Sequence, residues 1–465
     1  MSALDAKILA ARAVGQVARR AGRGGGTSLP GKVLTRLDPH AIERLAARLP
    51  RGCAVISATN GKTTTAAMAA SVLQRAGISL VHNRAGANMA GGVASTLASA
   101  ARRHGSIAGE LGLFEIDEFW LDRVGPQIRP QAVLLANLFR DQLDRYGELD
   151  TIADRWAAMV AALPAATQLA LNADDPLVAD LGRKCAHVTY FGVEDRSMAS
   201  GEMQHAADSK HCRHCGAAYV YDAVYLGHLG LYRCPECGRE RPTPAVYAER
   251  VTLHGTRSAS FTLVIPGGSV DVALPLPGLY NVYNALGAAT LCLALGTTLA
   301  QVADGLEHVA AAFGRAERIA VGDHELSVLL IKNPAGANEI LRTLALESGE
   351  LDLLGVLNDR TADGRDVSWV WDADFELLAG RVRRVTCAGT RAAELALRLK
   401  YAGIPAERLD VVSDLPIALD RALAQSPAGA GVYALPTYTA LLELRAELAR
   451  RGHVGRFYER EPAAV

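Results

Sequence analysis

Short unbroken apolar runs, each leading into a segment of helical spacing, dominate the hydrophobic pattern of this chain. Cys53–Ser57 reads as a buried strand, and beyond a polar loop an Ala-rich helix is expected over Thr64–Leu73. GLFEIDEFWL holds a second strand with acids near its C-terminal end, and AVLLANL holds a third. Ligands of open α/β sheets gather at such strand ends. SASFTLVIPGGSVDVALPLPG alternates instead and turns at Pro-Gly-Gly, which predicts a hairpin. The most apolar run, Ala285–Ala300, is broken by Gly and Thr and is too short to span a bilayer, so it predicts a buried helix. From about Ile319 the pattern becomes repeating strand and helix units: LSVLLIKNP, LDLLGVLND, RVTCAG, LDVVSD and GVYALP. These predict a second, mainly parallel sheet wrapped by helices, a Rossmann-like unit. The expected organisation is a short basic segment at 1–50, an α/β domain at 51–318 with an insert at about 205–245, and an α/β domain at 319–465.

Residues 1–36 carry seven Lys or Arg against the single acid Asp5, with Leu4, Ile8, Val14 and Val17 at roughly helical spacing. A basic surface helix docked on the domain behind it has this pattern. A transit peptide, or a contact with a lipid-linked anionic substrate, shares it. The whole chain has no such bias: 49 basic and 49 acidic residues cancel, which removes a global electrostatic reason for a nucleic-acid partner. Of the eight cysteines, Cys53, Cys185, Cys292 and Cys387 lie singly in apolar segments, a reduced pattern that fits the cytoplasm. Neither a signal-peptide core nor a spanning segment is expected, so any membrane contact is expected to be peripheral, at the inner face.

Thr59, Asn60, Gly61, Lys62, Thr63 and Thr64 join the first strand to its helix. Strand, Gly-Lys-Thr loop and helix in that order make a phosphate cradle, because backbone N–H groups and the positive end of the helix dipole converge on an anion. Lys62 is then placed to hold the β/γ-phosphates of ATP, and Thr63 to ligate magnesium through its hydroxyl. The general pattern G-x-x-x-x-G-K-[ST] fails at Ile56, where it wants glycine. A plain Gly-Lys turn is the alternative.

Within the insert, Cys212 and Cys215 form one C-x-x-C pair and Cys234 and Cys237 another, with eighteen residues between the pairs. This is the spacing of a zinc ribbon, in which each knuckle aims two thiolates at one tetrahedral ion. Four thiolates leave no open coordination position, so the zinc is expected to be structural and to supply on the order of 10 kcal/mol to folding the insert. Redox disulfides are the competing reading. Arg213, Arg233, Arg239 and Arg241 keep a nucleic-acid ribbon in view.

Asn83, Gly86 and Asn88 lie in a loop that either faces substrate or is structural. Asp117 and Glu118 read equally as site carboxylates or solvated loop charges. Near the C-terminus, Asp359, Asp363, Asp366, Asp372 and Asp374 crowd around Trp369 and Trp371, which argues for a contact surface over a solvated acidic loop.

The T-N-G-K-T loop resembles that of the Mur ligase superfamily, with Ala58 where glycine is usual. Several further runs resemble the family in the same order. In FRDQLDRYGELD and the residues before it, Asn137, Asp141, Leu143, Asp144 and Gly147 match. Gln142 stands where many members have a magnesium-binding His. Asn172, Asp174 and Asp175 match an N-x-D-D-P turn, whose plain role is helix capping. Asn281 and Asn284 match the pair that meets adenine, and Arg315 matches a phosphate-contacting Arg. The resemblance implies a Mur ligase-type P-loop ATPase domain interrupted by the ribbon, with Thr63, Glu115 and Gln142 around magnesium. It also implies a carbamylated lysine one helix further on, yet no lysine lies between Lys62 and Lys184. A complete Mur ligase has a nucleotide-sugar domain before its phosphate loop, and only about fifty residues precede it here. The lone K-N-P-A-G and A-D-G-R-D-V-S-W-V-W-D, together with the four cysteines, resemble the MurT branch, the ligase subunits of lipid II isoglutaminyl synthase. That branch implies ATP-dependent amidation of the D-glutamate α-carboxylate, ammonia from a GatD-type glutaminase partner, and Asp366 as the acid that completes the partner's Cys-His pair. A Mur-like amino-acid or polyglutamate ligase and a zinc-ribbon nucleic-acid-binding ATPase are the alternatives.

Overall fold

The central strand of the larger sheet is β1 (Cys53–Ser57), in which every residue is buried. Its even positions, Ala54 and Ile56, pack with Met68, Val72 and Leu73 of the helix Lys62–Arg75. Its odd positions, Cys53 and Val55, pack on the opposite face with Leu45, Leu97 and Phe114. Two-sided burial is what an unbroken apolar strand predicts. The computed structural model describes residues 3–20, 28–83, 87–102, 105–141, 149–200, 207–310 and 315–455.

Strands β2 (Leu80–His82), β3 (Leu111–Glu115), β4 (Ala132–Leu135), β5 (Gln168–Asn172) and β6 (Val188–Val193) join β1 in parallel pairing. The small antiparallel pair β7 (Val220–Leu226) and β8 (Leu229–Arg233) belongs to the insert. The chain then returns through β9 (Val246–His254), β10 (Ser258–Ile265) and β11 (Gly268–Leu274), giving the order β11-β10-β9-β6-β5-β4-β1-β3-β2. The β10–β11 hairpin turns through Pro266 and Gly267, and Gly267 takes the positive φ of +92° that such a turn needs. The strand order reverses at β1, between β3 and β4. That is the switch point at which open α/β sheets bind ligands.

The second sheet runs β12 (Arg315–Val321), β13 (His324–Leu329), β17 (Gly431–Pro436), β14 (Leu351–Val356), β15 (Val382–Ala388), β16 (Leu409–Val411), and is parallel except for the β12–β13 edge. Separate apolar clusters fill its two faces.

One helix expectation is corrected. The run Ala285–Ala300 is not a single helix: Leu279–Ala294 ends there, Gly296 adopts φ +91°, and Thr298 caps the next helix, Leu299–Glu307, in a capping box with Gln301. At the N-terminus the helix Ala3–Arg20 buries Leu4, Ile8 and Ala11 on the first domain and leaves Leu9, Val14 and Val17 outward. Arg12 donates to the carbonyls of Ala98 (2.9 Å), Ser99 (3.2 Å) and Ala101, where the helix Ala90–Ala100 ends and its dipole favours a cation. Among the described residues no helix is long and apolar enough to cross a membrane.

Candidate functional site

The phosphate loop owes its shape to its neighbours. Thr59 N–H donates to the Asn137 carbonyl (3.0 Å), Asn60 N–H donates to Asn137 Oδ1 (2.9 Å), and Asn137 Nδ2 donates back to the Asn60 carbonyl (3.0 Å). Gly61 adopts φ +83°, and a Cβ there would sit 2.1 Å from Asn284 Oδ1, so conformation and space both demand glycine. The helix starts at Lys62 and not at Thr64 as expected, because the Gly61 carbonyl already takes the N–H and hydroxyl of Thr65. Lys62 and Thr63 therefore stand in its first turn, where an anion is favoured.

Lys62 is buried, and its ammonium donates to the carbonyls of Ala58 and Thr59 and to Glu118 Oε2 at 2.5 Å. Burial alone would push its pKa down, but the carboxylates of Glu118, Asp117 and Glu115 outweigh burial and hold it above the ordinary lysine value. Burial pushes the Glu118 carboxyl up, against the opposing pull of Lys62. Glu115 ends β3, paired with Ile56 of β1, so it emerges beside the loop. Asn83 clamps its backbone, accepting the Glu115 N–H at 2.9 Å and donating to the Glu115 carbonyl at 2.7 Å. Asn88 Nδ2 lies 3.4 Å from Glu115 Oε1. These two asparagines thus position an acid.

The second domain reaches the same loop. Lys332 donates to Asp141 Oδ2 at 2.6 Å and lies 3.4 Å from the Thr59 carbonyl. Asn333 caps the helix Pro334–Ala345 through Gly336 N–H (2.8 Å), while its amide donates to Asn60 Oδ1 at 3.0 Å. On the other side, Asn284 Nδ2 donates to Asn281 Oδ1 (3.0 Å), Asn281 Nδ2 to the Pro277 carbonyl (2.7 Å), and Thr65 Oγ1 to Asn284 Oδ1 (3.2 Å). A cleft with about 910 Å³ of space, part of it open solvent, lies between these elements. Asn60, Gly61 and Thr64 line its polar end, and Leu226, Leu276 and Leu330 are among the apolar side chains that line the rest.

Lys332 also lines a second cleft of about 510 Å³, with Arg140, Asp141, Asp363, Asp366 and Trp369. The five acids of this loop are sorted by their contacts. Asp359 accepts from Thr390 and Arg391, Asp374 from Asn338, and Asp363 from the N–H (2.7 Å) and hydroxyl of Thr439 at the start of the helix Tyr438–Arg450. Asp372 lies 3.7 Å from Arg140. Asp366 is exposed, and hydrogen bonds from the hydroxyl and N–H of Ser368 hold its carboxyl below the usual range. Close to this loop Trp371 and Tyr401 pair at 5.8 Å between ring centroids with both rings outward, and Arg398 lies 5.6 Å from the Trp371 ring.

The sulfur atoms of Cys212, Cys215, Cys234 and Cys237 all lie within 4.8 Å of one another. The knuckles are near copies: Gly216 N–H donates to the Cys212 carbonyl with Gly216 at φ +78°, and Gly238 N–H to the Cys234 carbonyl with Gly238 at φ +70°. Two contacts cross between the knuckles, 3.6 Å for Cys212–Cys237 and 3.4 Å for Cys215–Cys234. A tetrahedron with zinc–sulfur bonds of about 2.3 Å has edges of about 3.8 Å, so this donor set fits zinc. Burial opposes ionisation of Cys212, but N–H groups of Cys215 and His214 bring its thiol down to about 6. Protein purified under reducing conditions is expected to carry one zinc per chain, and Cys234→Ser to carry none and to lose hydrogen-exchange protection over β7 and β8. Elemental analysis finding no zinc in the parent would refute the assignment.

The structure thus brings Thr59, Asn60, Gly61, Lys62, Thr63, Thr64, Glu115, Asn281 and Asn284 to one place at the switch point. Arg315 opens β12 opposite Leu329, but its side chain lies outside the described residues, as do Gln142, Leu143, Asp144, Gly147 and Gly86. Asn172, Asp174 and Asp175 are structural in place: Asp175 caps the helix Pro176–Leu181, and Asp174 binds Tyr283 (2.6 Å) and Arg241 (2.5 Å). Sequence reasoning did not single out Glu118, Lys332 or Asn333 for roles. Glu118 was one of two adjacent acids with no periodic cue to its side, and Lys332 acts across a domain junction.

Comparison with known proteins agrees with this architecture. The Mur ligase middle domain family matches residues 56–227 and the MurT ligase C-terminal family matches residues 330–441. The chain is 34% identical over 446 residues to the subunit MurT of lipid II isoglutaminyl synthase (glutamine-hydrolyzing) from Streptococcus pneumoniae, covering 96% of each. It is 32% identical to that subunit from Staphylococcus aureus, covering 94% of this chain and 96% of the relative. Among solved structures, a pseudomurein peptide ligase type C from Methanothermus fervidus superposes with a TM-score of 0.66 at 22% identity, over 88% of this chain and 80% of that one. That likeness concerns the fold.

Proposed function

The chain belongs to the MurT family of Mur ligases, and from this premise we propose that it is the ATP-dependent ligase subunit of a lipid II isoglutaminyl synthase, which amidates the D-glutamate α-carboxylate of the lipid II stem peptide. The observation that carries this reading is the cavity in which the phosphate loop, Asn281, Asn284 and Lys332 meet. A carboxylate does not react with ammonia in water; it needs a leaving group. The substrate carboxylate oxygen attacks the γ-phosphorus of ATP, ADP leaves, and an acyl phosphate forms. Ammonia then adds to the acyl carbon, the carbon–oxygen bond to phosphate breaks, and the nitrogen gives up a proton. Lys62, and with it Arg315, offsets charge on the transferring phosphoryl group, and Lys332, held by Asp141 at the mouth of the loop, adds a further cation.

Mur ligases use ATP with magnesium. The Thr63 hydroxyl and the Glu115 carboxylate are hard oxygen donors of the kind magnesium takes, with Gln142 as a further candidate, and the ion when bound neutralises phosphate oxygens. A subunit implies a partner, and a GatD-type glutaminase is the one proposed to supply ammonia. The exposed Asp366, with the outward Trp371–Tyr401 pair close to it, supports a partner surface on which Asp366 orients the glutaminase His.

The acyl phosphate is testable without any nitrogen source. ATP labelled at the β–γ bridging oxygen is expected to scramble its label when chain and lipid II are both present, and not when either is omitted. Absence of scrambling, with ADP released slowly enough to allow it, would rule out the intermediate.

A further inference from the structure

On the reading that the cleft beside the phosphate loop takes ATP, we propose that the tip of the cysteine-bound hairpin, Leu226 to Leu229, is a wall of the nucleotide-base pocket, and that the thiolate cluster thereby sets the affinity for the base. The cavity is polar at Asn60, Gly61 and Thr64, where phosphates belong, and apolar at Leu226, Leu229 and Leu276, where a flat purine face is desolvated. Two of these three leucines come from the insert and not from either α/β domain.

The tip is seated on the nucleotide site by specific contacts. His228 is fully buried, its ring centroid 4.6 Å from that of Phe139 and its Nε2 3.4 Å from Asp175 Oδ2. Gly227 takes φ +59°, and a Cβ there would come within 2.8 Å of the Phe139 ring. Gly230 N–H donates to the Asp174 carbonyl at 3.0 Å, and Tyr221 Oη donates to the His228 carbonyl at 3.0 Å. Phe139 lines the cavity too, and its N–H is held by Thr59 Oγ1 of the phosphate loop at 3.1 Å. The hairpin tip, Phe139 and the loop are therefore one packed unit. From the second domain Arg342 reaches the Tyr225 carbonyl at 3.4 Å.

At its other end the hairpin is closed by the knuckles and tied to the first domain by Arg239, which donates to Asp180 Oδ2 at 2.7 Å, and by Arg183, which donates to the Glu240 carbonyl at 2.9 Å. A two-stranded hairpin is marginal by itself in water. Cys212 and Cys234 are buried against Tyr219 and Tyr232, so the cluster and the aromatic pair close the base of the strands whose tip walls the cavity. Loosening the base weakens the strand pairing that presents Leu226 and Leu229 to the pocket, against the contacts that seat the tip. A ribbon that only stabilised itself would leave nucleotide binding untouched.

Two probes separate base from phosphate recognition in the full-length chain: ATP, and inorganic tripolyphosphate, which has no base. Leu226→Ala and Leu229→Ala are each expected to weaken ATP binding roughly tenfold, the scale of an apolar-pocket truncation, while tripolyphosphate binding and zinc content stay at the parent's values. Leu229→Met, which conserves volume, is expected to keep ATP affinity. Cys234→Ser, or zinc removal by a chelator, is expected to weaken ATP but not tripolyphosphate by a similar factor. Lys62→Ala/Glu118→Gln, which leaves no buried carboxylate without its cation, is the control and is expected to lose both probes while staying folded. If this control loses both while the leucine variants bind ATP like the parent, the wall assignment is wrong and the ATP reading stands. A parent that binds no ATP would overturn the ATP reading, and the wall with it.

Discussion

Lys62→Ala is expected to lower amidation by at least ~10²–10³-fold, the scale of removing one preorganised donor from a developing negative charge. Its second effect follows from the buried ion pair with Glu118. Deleting the lysine leaves a buried carboxylate without its cation, which costs about 3–5 kcal/mol of stability. Loss of activity in Lys62→Ala alone is therefore ambiguous between chemistry and unfolding. The double variant Lys62→Ala/Glu118→Gln separates them, because the amide removes the stranded charge while keeping the shape. It is expected to melt several degrees above Lys62→Ala and to remain inactive. Recovery of amidation in the double variant would show that Lys62 serves folding and that phosphate charge is met elsewhere.

Asp366→Asn is expected to lower glutamine hydrolysis by the assembled complex by about 10⁴-fold, as for other neutralised acids that orient a catalytic His. Free ammonium is expected to restore amidation, because Asp366 is exposed at the cleft and does not touch the phosphate loop. Asp363, in the same loop, is the structural rival, and its contacts already commit it: both oxygens are taken by Thr439 at a helix start. Asp363→Ala is expected to cost about 0.5–2 kcal/mol of stability, as for a lost helix cap, with hydrolysis retained. If Asp363→Ala abolishes hydrolysis and Asp366→Asn does not, the roles are reversed. If Asp366→Asn blocks amidation even with ammonium present, the residue belongs to the ligase chemistry.

Both sheets were legible in the sequence because their central strands are apolar at nearly every position and end in polar loops. The phosphate loop was legible because its chemistry is local: Gly61 and Lys62 are neighbours on the chain. The cysteine cluster was legible from spacing. What escaped was what depends on distant segments meeting. Asp117 and Glu118 differ by one residue, yet only the way the strand end folds back sends Glu118 to Lys62. Lys332 looked like part of a turn until the second sheet set it beside Asp141 and Thr59. The paired cysteines announced a metal site but carried no sign that Leu226 and Leu229, between them, line the cavity. Helix ends were misjudged where one residue decides them, at Gly61 and at Gly296.

The central claim is that this chain makes an amide at a lipid-linked carboxylate using ATP and nitrogen released by a partner. Its most direct test incubates the purified chain, a GatD-type glutaminase, ATP, magnesium, lipid II and glutamine labelled with heavy nitrogen in the side-chain amide. Mass spectrometry of the stem peptide follows. The expected product carries one labelled amide at the D-glutamate α-carboxylate and forms only with ATP. A stem peptide extended by an amino acid or glutamate, or one left unchanged while nucleic acid stimulates ATP hydrolysis, would contradict the account.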